Sequence, residues 1–204
     1  MTAGPLLDRI GLPGDESAWT ALGFDLAAGG FALGAVTCTV GAEPAWGFDV
    51  VHADPAVLGI PVPDRIPTAS TPPGIDPPAS HPNHSSYVDH LVYWVPDLDD
   101  AVTALNAVLG TEPRRRFHPR GPSSPEMAFY RVGKPFLEVV SSGRPPILAG
   151  IAFGTTDLDA TVAAVRAAGG PIGDPKPAVQ GGRIASVWHG HLEWGIAFLE
   201  PKPR

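Results

Sequence analysis

The sequence predicts an α+β fold assembled from repeated strand-helix-strand-strand-strand (βαβββ) modules, and three observations carry that reading. Residues 96–110 (PDLDDAVTALNAVLG) and 156–170 (TDLDATVAAVRAAGG) are identical at seven of fifteen positions, at a fixed offset of 60. In each copy a short apolar run leads to an aspartate suited to cap a helix, then to apolar residues at helical spacing, then to a closing glycine. Strand-like runs follow each helix, and the copies end alike in Phe136-Leu137-Glu138 and Phe198-Leu199-Glu200.

Taken in order, residues 1–54 read as a degenerate N-terminal module. Leu7-Asp8-Arg9-Ile10 parallels Val88-Asp89-His90-Leu91, Asp15 to Leu22 reads as a truncated helix, and Phe48-Asp49-Val50-Val51 parallels Leu137-Glu138-Val139-Val140. On that alignment Arg9 and Asp49 stand where the next module has His90 and Glu138, and an ion pair between them is expected. Residues 55–85 hold nine prolines among Ser, Thr, Gly and Asp, a composition that favours extended backbone and marks a linker. His81 and His84, at its end, are expected to be exposed. Residues 86–204 form the paired modules, 86–142 and 146–201. Their strands are expected at Val88 to Val95, Met127 to Val132 and Pro135 to Val140, then at Leu148 to Phe153, Arg183 to Trp188 and Trp194 to Leu199.

Composition excludes several classes. The 21 acidic against 14 basic residues leave a net charge of −7 and no basic stripe for a nucleic-acid backbone. No apolar run reaches the length of a membrane helix, and residues 1–7 lack the basic and apolar regions of a signal peptide. The lone Cys38 rules out an intrachain disulfide framework. A cytoplasmic protein is expected, with a small-molecule ligand and neither nucleic acid nor membrane as partner.

The paired modules, with Asp89-His90 opening the first strand and Leu137-Glu138 in the last, resemble the vicinal-oxygen-chelate superfamily of glyoxalases, bleomycin-resistance proteins and extradiol dioxygenases. They look nearest to bacterial glyoxalase-like proteins. The resemblance covers residues 86–200 and, more loosely, 6–52. It implies two modules set side by side around a cleft, with metal ligands from the first and last strands of each. Those positions fall on His90 and Glu138, then on Gly150 and Glu200, so one ligand is missing.

Strand alternation adds to the resemblance. It places His90, Val92 and Trp94 on one face, with Phe136, Glu138 and Val140. The same count puts Trp194, Ile196, Phe198 and Glu200 toward the cleft and leaves Ala197 and Leu199 under the helices. The expected metal ligands are therefore His90, Glu138 and Glu200, for Zn, Mn, Ni or Fe, with Glu138 also moving a proton. The alternatives are a buried His90–Glu138 pair and a solvated Glu200. Trp94, Phe136, Trp194, Phe198 and Arg183 are the expected substrate contacts.

Other polar clusters read more plainly. His189 and His191 flank Gly190 in a turn, and Gly181-Gly182 is a turn or bulge without phosphate-loop spacing. Arg114, Arg115 and Arg116 line a solvated surface unless one of them turns inward to grip a carboxylate.

Two functions follow. One is a glyoxalase-like isomerase, lyase or ring-opening enzyme, metal-assisted, acting on a compound with neighbouring oxygens. The other is a metal-free protein that sequesters a hydrophobic compound. Because three modules cannot all pair, an uncovered apolar face is expected to make a homodimer.

Overall fold

A computed structural model describes residues 4–63, 80–179 and 181–202. The second module comprises β5 (Tyr87–Val95), α2 (Leu98–Leu109), β6 (Arg115–Phe117), β7 (Met127–Arg131) and β8 (Phe136–Ser141). The third comprises β9 (Ile147–Gly154), α3 (Leu158–Ala167), β10 (Lys176–Pro177), β11 (Arg183–Ser186) and β12 (Gly195–Glu200). They share one eight-stranded sheet in the order β10-β11-β12-β9-β5-β8-β7-β6. Within each module the first strand runs parallel to the last, and the two first strands, β5 and β9, meet antiparallel at the seam.

The repeated aspartates cap the helices as expected. Asp97 accepts from the amides of Asp99 and Asp100, and Asp157 from that of Ala160. Helix α2 ends on Gly110 in the left-handed conformation, at φ 63°. In the third module Gly169, at φ 92°, takes that role rather than the aligned Gly170. Both helices lie on one face of the sheet, where Leu91, Tyr93, Leu137, Val139, Ile151, Phe153 and Phe198 are buried. The opposite face carries the cleft.

The N-terminal segment contains β1 (Leu7–Leu12), α1 (Glu16–Ala21), β2 (Gly30–Leu33), β3 (Val36–Val40) and β4 (Ala45–Phe48), in a four-stranded sheet ordered β2-β3-β1-β4. Its parallel partner strand is β3, not the run at Phe48, because β4 pairs antiparallel on the other side of β1. Strand β4 thus occupies the place that the sister module takes at the seam of the pair. Asp49, Val50 and Val51 lie beyond the strand, with Val50 53% and Val51 41% exposed. The expected Arg9–Asp49 ion pair is replaced by Arg9–Asp8 at 2.9 Å, while the Asp49 carboxylate accepts from the Leu6 and Val50 amides.

This segment packs on the helix-bearing face of the large sheet, over the seam. Trp19 meets the ring of Phe153 edge-on, Phe24 lies 4.8 Å from it, and Trp46 packs on Tyr93 at 4.9 Å. The Tyr93 hydroxyl donates to the Leu58 carbonyl in the short turn Pro55–Leu58. The apolar face of the paired sheet is therefore covered within the chain, and the homodimer no longer follows from the odd number of modules. Among the described residues no helix is long and apolar enough to cross a membrane.

The central part of the proline-rich stretch, residues 64–79, lies outside the described residues, but both of its flanks are packed. Leu58 and Ile60 are buried on one side, and His81, Asn83 and Ser85 on the other. His81 corrects the expectation of exposure. Its Nδ1 accepts from the Asp25 amide and its Nε2 donates to the Ala32 carbonyl, between the rings of Phe24 and Phe31. Burial pushes its pKa down, against smaller upward pulls from the Ala32 carbonyl and Asp25. The unfolded chain takes up this proton near pH 6.5 and the native one only at lower pH, so the contribution of His81 to stability falls as pH drops below about 6.5. Urea melts at pH 7.5 and 5.5 are expected to show a smaller pH-dependent loss in His81→Gln than in the wild type. Equal losses would refute the role.

Candidate functional site

The site begins with an irregularity in β5. Its register against β9 shifts between Val88 and His90, so Asp89 is an extra residue in the ladder. At a regular strand Asp89 and His90 would face opposite ways. Here both line the same cavity, and the His90 Nδ1–H donates to the Asp89 carboxylate at 2.8 Å. That bond orients the ring and leaves Nε2 as the nitrogen free to act on a ligand.

Beside it on β8, Phe136 stacks on His90 at 4.8 Å between centroids, and Glu138 follows one alternation later. Burial pushes the Glu138 pKa up, His90 and Arg115 pull it down, and Asp89 adds to the rise. A carboxyl raised by its surroundings beside an oriented imidazole is an acid-base arrangement.

The β6–β7 arm forms one wall. Alternation sends Arg115 and Phe117 to the cleft and Arg116 to the other face, where it pairs with Asp99 at 2.8 Å and Glu126 at 3.1 Å. Of the three consecutive arginines the middle one is thus the inward residue. Its guanidinium lies 4.6 Å from the Phe129 centroid and 4.9 Å from that of Phe117, two rings stacked on each other. The opposite wall is the β10–β11 hairpin, whose Val179 is 70% exposed yet reaches the cleft.

Two cavities result, of ≈ 520 Å³ and ≈ 470 Å³, and they adjoin at Glu138 and Val179, which line both. The first runs under the 118–125 loop beside Arg115, Phe117 and Arg120. The second holds Asp89, His90 and Phe136, with Lys176 and Lys202 also in its lining.

Of the residues expected from the sequence, His90, Phe136 and Glu138 come together here. The third-module residues do not, because the face count was out by one residue and a single-residue slip reverses every side chain of a strand. Phe198 and Ile196 are buried on the helix side, and Leu199 is the residue that lines the cleft. Trp194 is buried too, donating from its indole to the Leu148 carbonyl at 2.8 Å. Glu200 receives Arg183 at 2.6 Å and the Leu158 amide at the start of α3, and Arg183 also binds Asp159 on that helix. Glu200 and Arg183 therefore secure a helix N-terminus rather than the cleft. Trp94 shares the cleft face but lines neither cavity, and Arg144 stacks on it at 5.1 Å.

These placements decide how well a metal fits. With Glu200 turned away, two of the four positions implied by the resemblance remain, His90 and Glu138. At the empty position, a Cβ on Gly150 would come within 2.4 Å of the Gly195 carbonyl oxygen, so this backbone has no room for a side-chain ligand there. Among the described residues no three His, Cys, Asp or Glu side chains are grouped to hold an ion. The donor set does not fit the expected three-ligand centre.

The His191 Nε2–H donates to the Ala18 carbonyl at 2.9 Å, within the turn His189–His191, as a structural contact. Asp89 and Leu199 were missed in the sequence, which left open whether one of Arg114, Arg115 and Arg116 turns inward. Arg115 had a signal, its place two residues before Phe117 in a strand, whereas the bulge that turns Asp89 inward leaves none.

Residues 89–186 match the family described as the glyoxalase/bleomycin resistance protein/dioxygenase superfamily. Over that stretch, just under half of the chain, the sequence is similar to that superfamily. The vicinal-oxygen-chelate fold recurs in the crystal structure of methylmalonyl-CoA epimerase from Mycobacterium tuberculosis, which matches 59% of this chain and 91% of its own at 19% identity and a TM-score of 0.50. A hypothetical protein from Bacillus halodurans C-125 matches 57% of this chain and 95% of its own at 17% identity, with a TM-score of 0.48. A Streptomyces coelicolor methylmalonyl-CoA epimerase in complex with 2-nitronate-propionyl-CoA matches 57% and 97% at 20% identity, with a TM-score of 0.45. At these identities the likeness is one of fold. No curated protein sequence matches the chain.

Proposed function

We propose that this glyoxalase-like protein is an enzyme that moves a proton at a carbon next to a carbonyl, an isomerase or lyase acting on a small compound with neighbouring oxygens. The observation that carries the reading is the cavity shared by His90 and Glu138, with His90 held by Asp89. In the proposed step His90 Nε2 takes the proton from carbon while the protonated Glu138 gives its proton to the carbonyl oxygen, leaving a neutral enol. Return of the proton from His90 to that carbon, or to the neighbouring carbon of an enediol, while Glu138 takes back a hydroxyl proton, completes an exchange or an isomerisation and restores both residues. Asp89 stabilises the imidazolium that forms. Because the donor set does not fit a three-ligand centre, no step passes through a metal.

The test is deuterium exchange from D₂O into 2-oxo acids and ketones, followed by proton NMR. Exchange at the carbon beside the carbonyl is expected with wild type and not with Glu138→Gln. One equivalent of metal in protein purified without a histidine tag, lost in His90→Ala, would overturn the metal-independent form of the proposal. The second reading, a sequestering protein, is favoured by the stacked Phe117, Phe129 and Arg115 along the wall. It predicts ligand-dependent stabilisation without exchange.

A further inference from the structure

The charge of the cleft runs against that of the chain. The protein carries a net charge of −7, yet Arg115 and Arg120 line the first cavity, where Glu138 is the one acidic residue among the described lining. Arg115 is also unusually well placed for recognition. Its guanidinium stands 4.6 Å from the Phe129 centroid and 4.9 Å from that of Phe117, and a guanidinium can grip a carboxylate with two parallel bonds. The rest of that cavity is apolar, with Pro119, Pro125, Met127 and Val179 in the wall.

We propose that the ligand is a small apolar carboxylic acid, its carboxylate held by Arg115 with Arg120 beneath the 118–125 loop, and its body laid along Phe117 toward Glu138. This rests on Glu138 being the reacting group of the proposed function, and it adds the substrate class. The distribution of charge supplies the selectivity. A ligand anion enters an otherwise acidic protein at the wall where cations face inward, and its apolar body displaces water from the neighbouring surface. The reacting carbon then lies at the junction of the two cavities, where Glu138 is shared.

The experiment is calorimetric titration of the full chain with matched acid and amide pairs, from acrylate and acrylamide to cinnamate and cinnamamide. At least one acid is expected to bind about tenfold or more tightly than its amide, the difference a charge-assisted bidentate contact supplies. Arg115→Gln removes that preference, and Arg115→Lys restores only part of it, because lysine keeps the charge without the fork. Arg116→Gln, which deletes the same charge one residue away on the opposite face, leaves it intact. Three results overturn the inference: acids binding no better than amides, no acid binding at all, or an equal loss in Arg116→Gln, which would mark a general field effect. The two proposals fail separately. Deuterium exchange into neutral ketones as fast as into acids would remove the substrate class and keep the proton transfer. Arg115-dependent acid binding without any exchange would do the reverse.

Discussion

Glu138→Gln is expected to lower turnover by about 10²–10⁴-fold, the range of a lost general acid or base, while ligand affinity stays near that of the wild type. The change keeps the shape of the side chain and removes its proton, so a purely structural Glu138 would show little kinetic effect. Stability gives a second readout with a definite sign. Burial raises the native pKa of Glu138 above its unfolded value, so at pH values between the two the native state holds the proton more often. Stability from this group is therefore present below the unfolded pKa and is lost as pH rises toward the native one. The neutral glutamine escapes that loss, and Glu138→Gln is expected to match or exceed the wild-type melting temperature at neutral pH. His90→Asn should also abolish turnover, and Asp89→Asn should weaken it through the His90 orientation, visible as a shifted pH profile. A Glu138→Gln enzyme with turnover within threefold of wild type would end the proton-transfer reading.

Trp19→Ala is expected to destabilise the protein by about 3–5 kcal/mol, the range for large-to-small changes at buried aromatic residues. Trp19 is fully buried on α1, its indole donates to the Pro13 carbonyl, and its ring contacts Phe24, Phe31 and Phe153. Phe153 belongs to β9, so this one side chain joins the N-terminal sheet to the seam of the paired modules. Truncation loses apolar contact and leaves a cavity between two sheets that cannot close easily. Denaturant unfolding followed by tryptophan fluorescence and by far-UV circular dichroism measures the loss, and coincident transitions would show that both sheets unfold as one unit. A loss below 1 kcal/mol, or an early separate transition of the N-terminal segment, would show that the two sheets are not coupled through this contact.

How much of this was legible in the sequence differs from element to element. The helices α2 and α3 were readable with their caps because the Asp97 and Asp157 contacts are local, spanning two or three residues. The central strands were readable from apolar runs. Strands β6 and β10 are three and two residues long and carry no periodicity, so β10 went unread and β6 was read only as part of an exposed strand and loop. In the N-terminal segment the order of pairing was misread, since β4 resembles a last strand in composition but pairs on the other side of β1.

The candidate site divides in the same way. His90, Phe136 and Glu138 share a face by simple alternation and were found. Glu200, Arg183, Trp194 and Phe198 were misassigned because an aromatic or a carboxylate serves either face of a strand. Which face it serves depends on where α3 and the N-terminal aromatics lie.

By itself the sequence determined the repeated modules, their capped helices and the shared face of His90 and Glu138, since each depends on spacing along a few residues. The tertiary structure alone decided that Asp89 turns inward beside His90, that Arg115 lines the cleft while Arg116 turns to the other face, and that Glu200 belongs to a helix terminus. Those outcomes are set by a register shift and by packing between segments distant in the chain, and such contacts leave no period in the sequence.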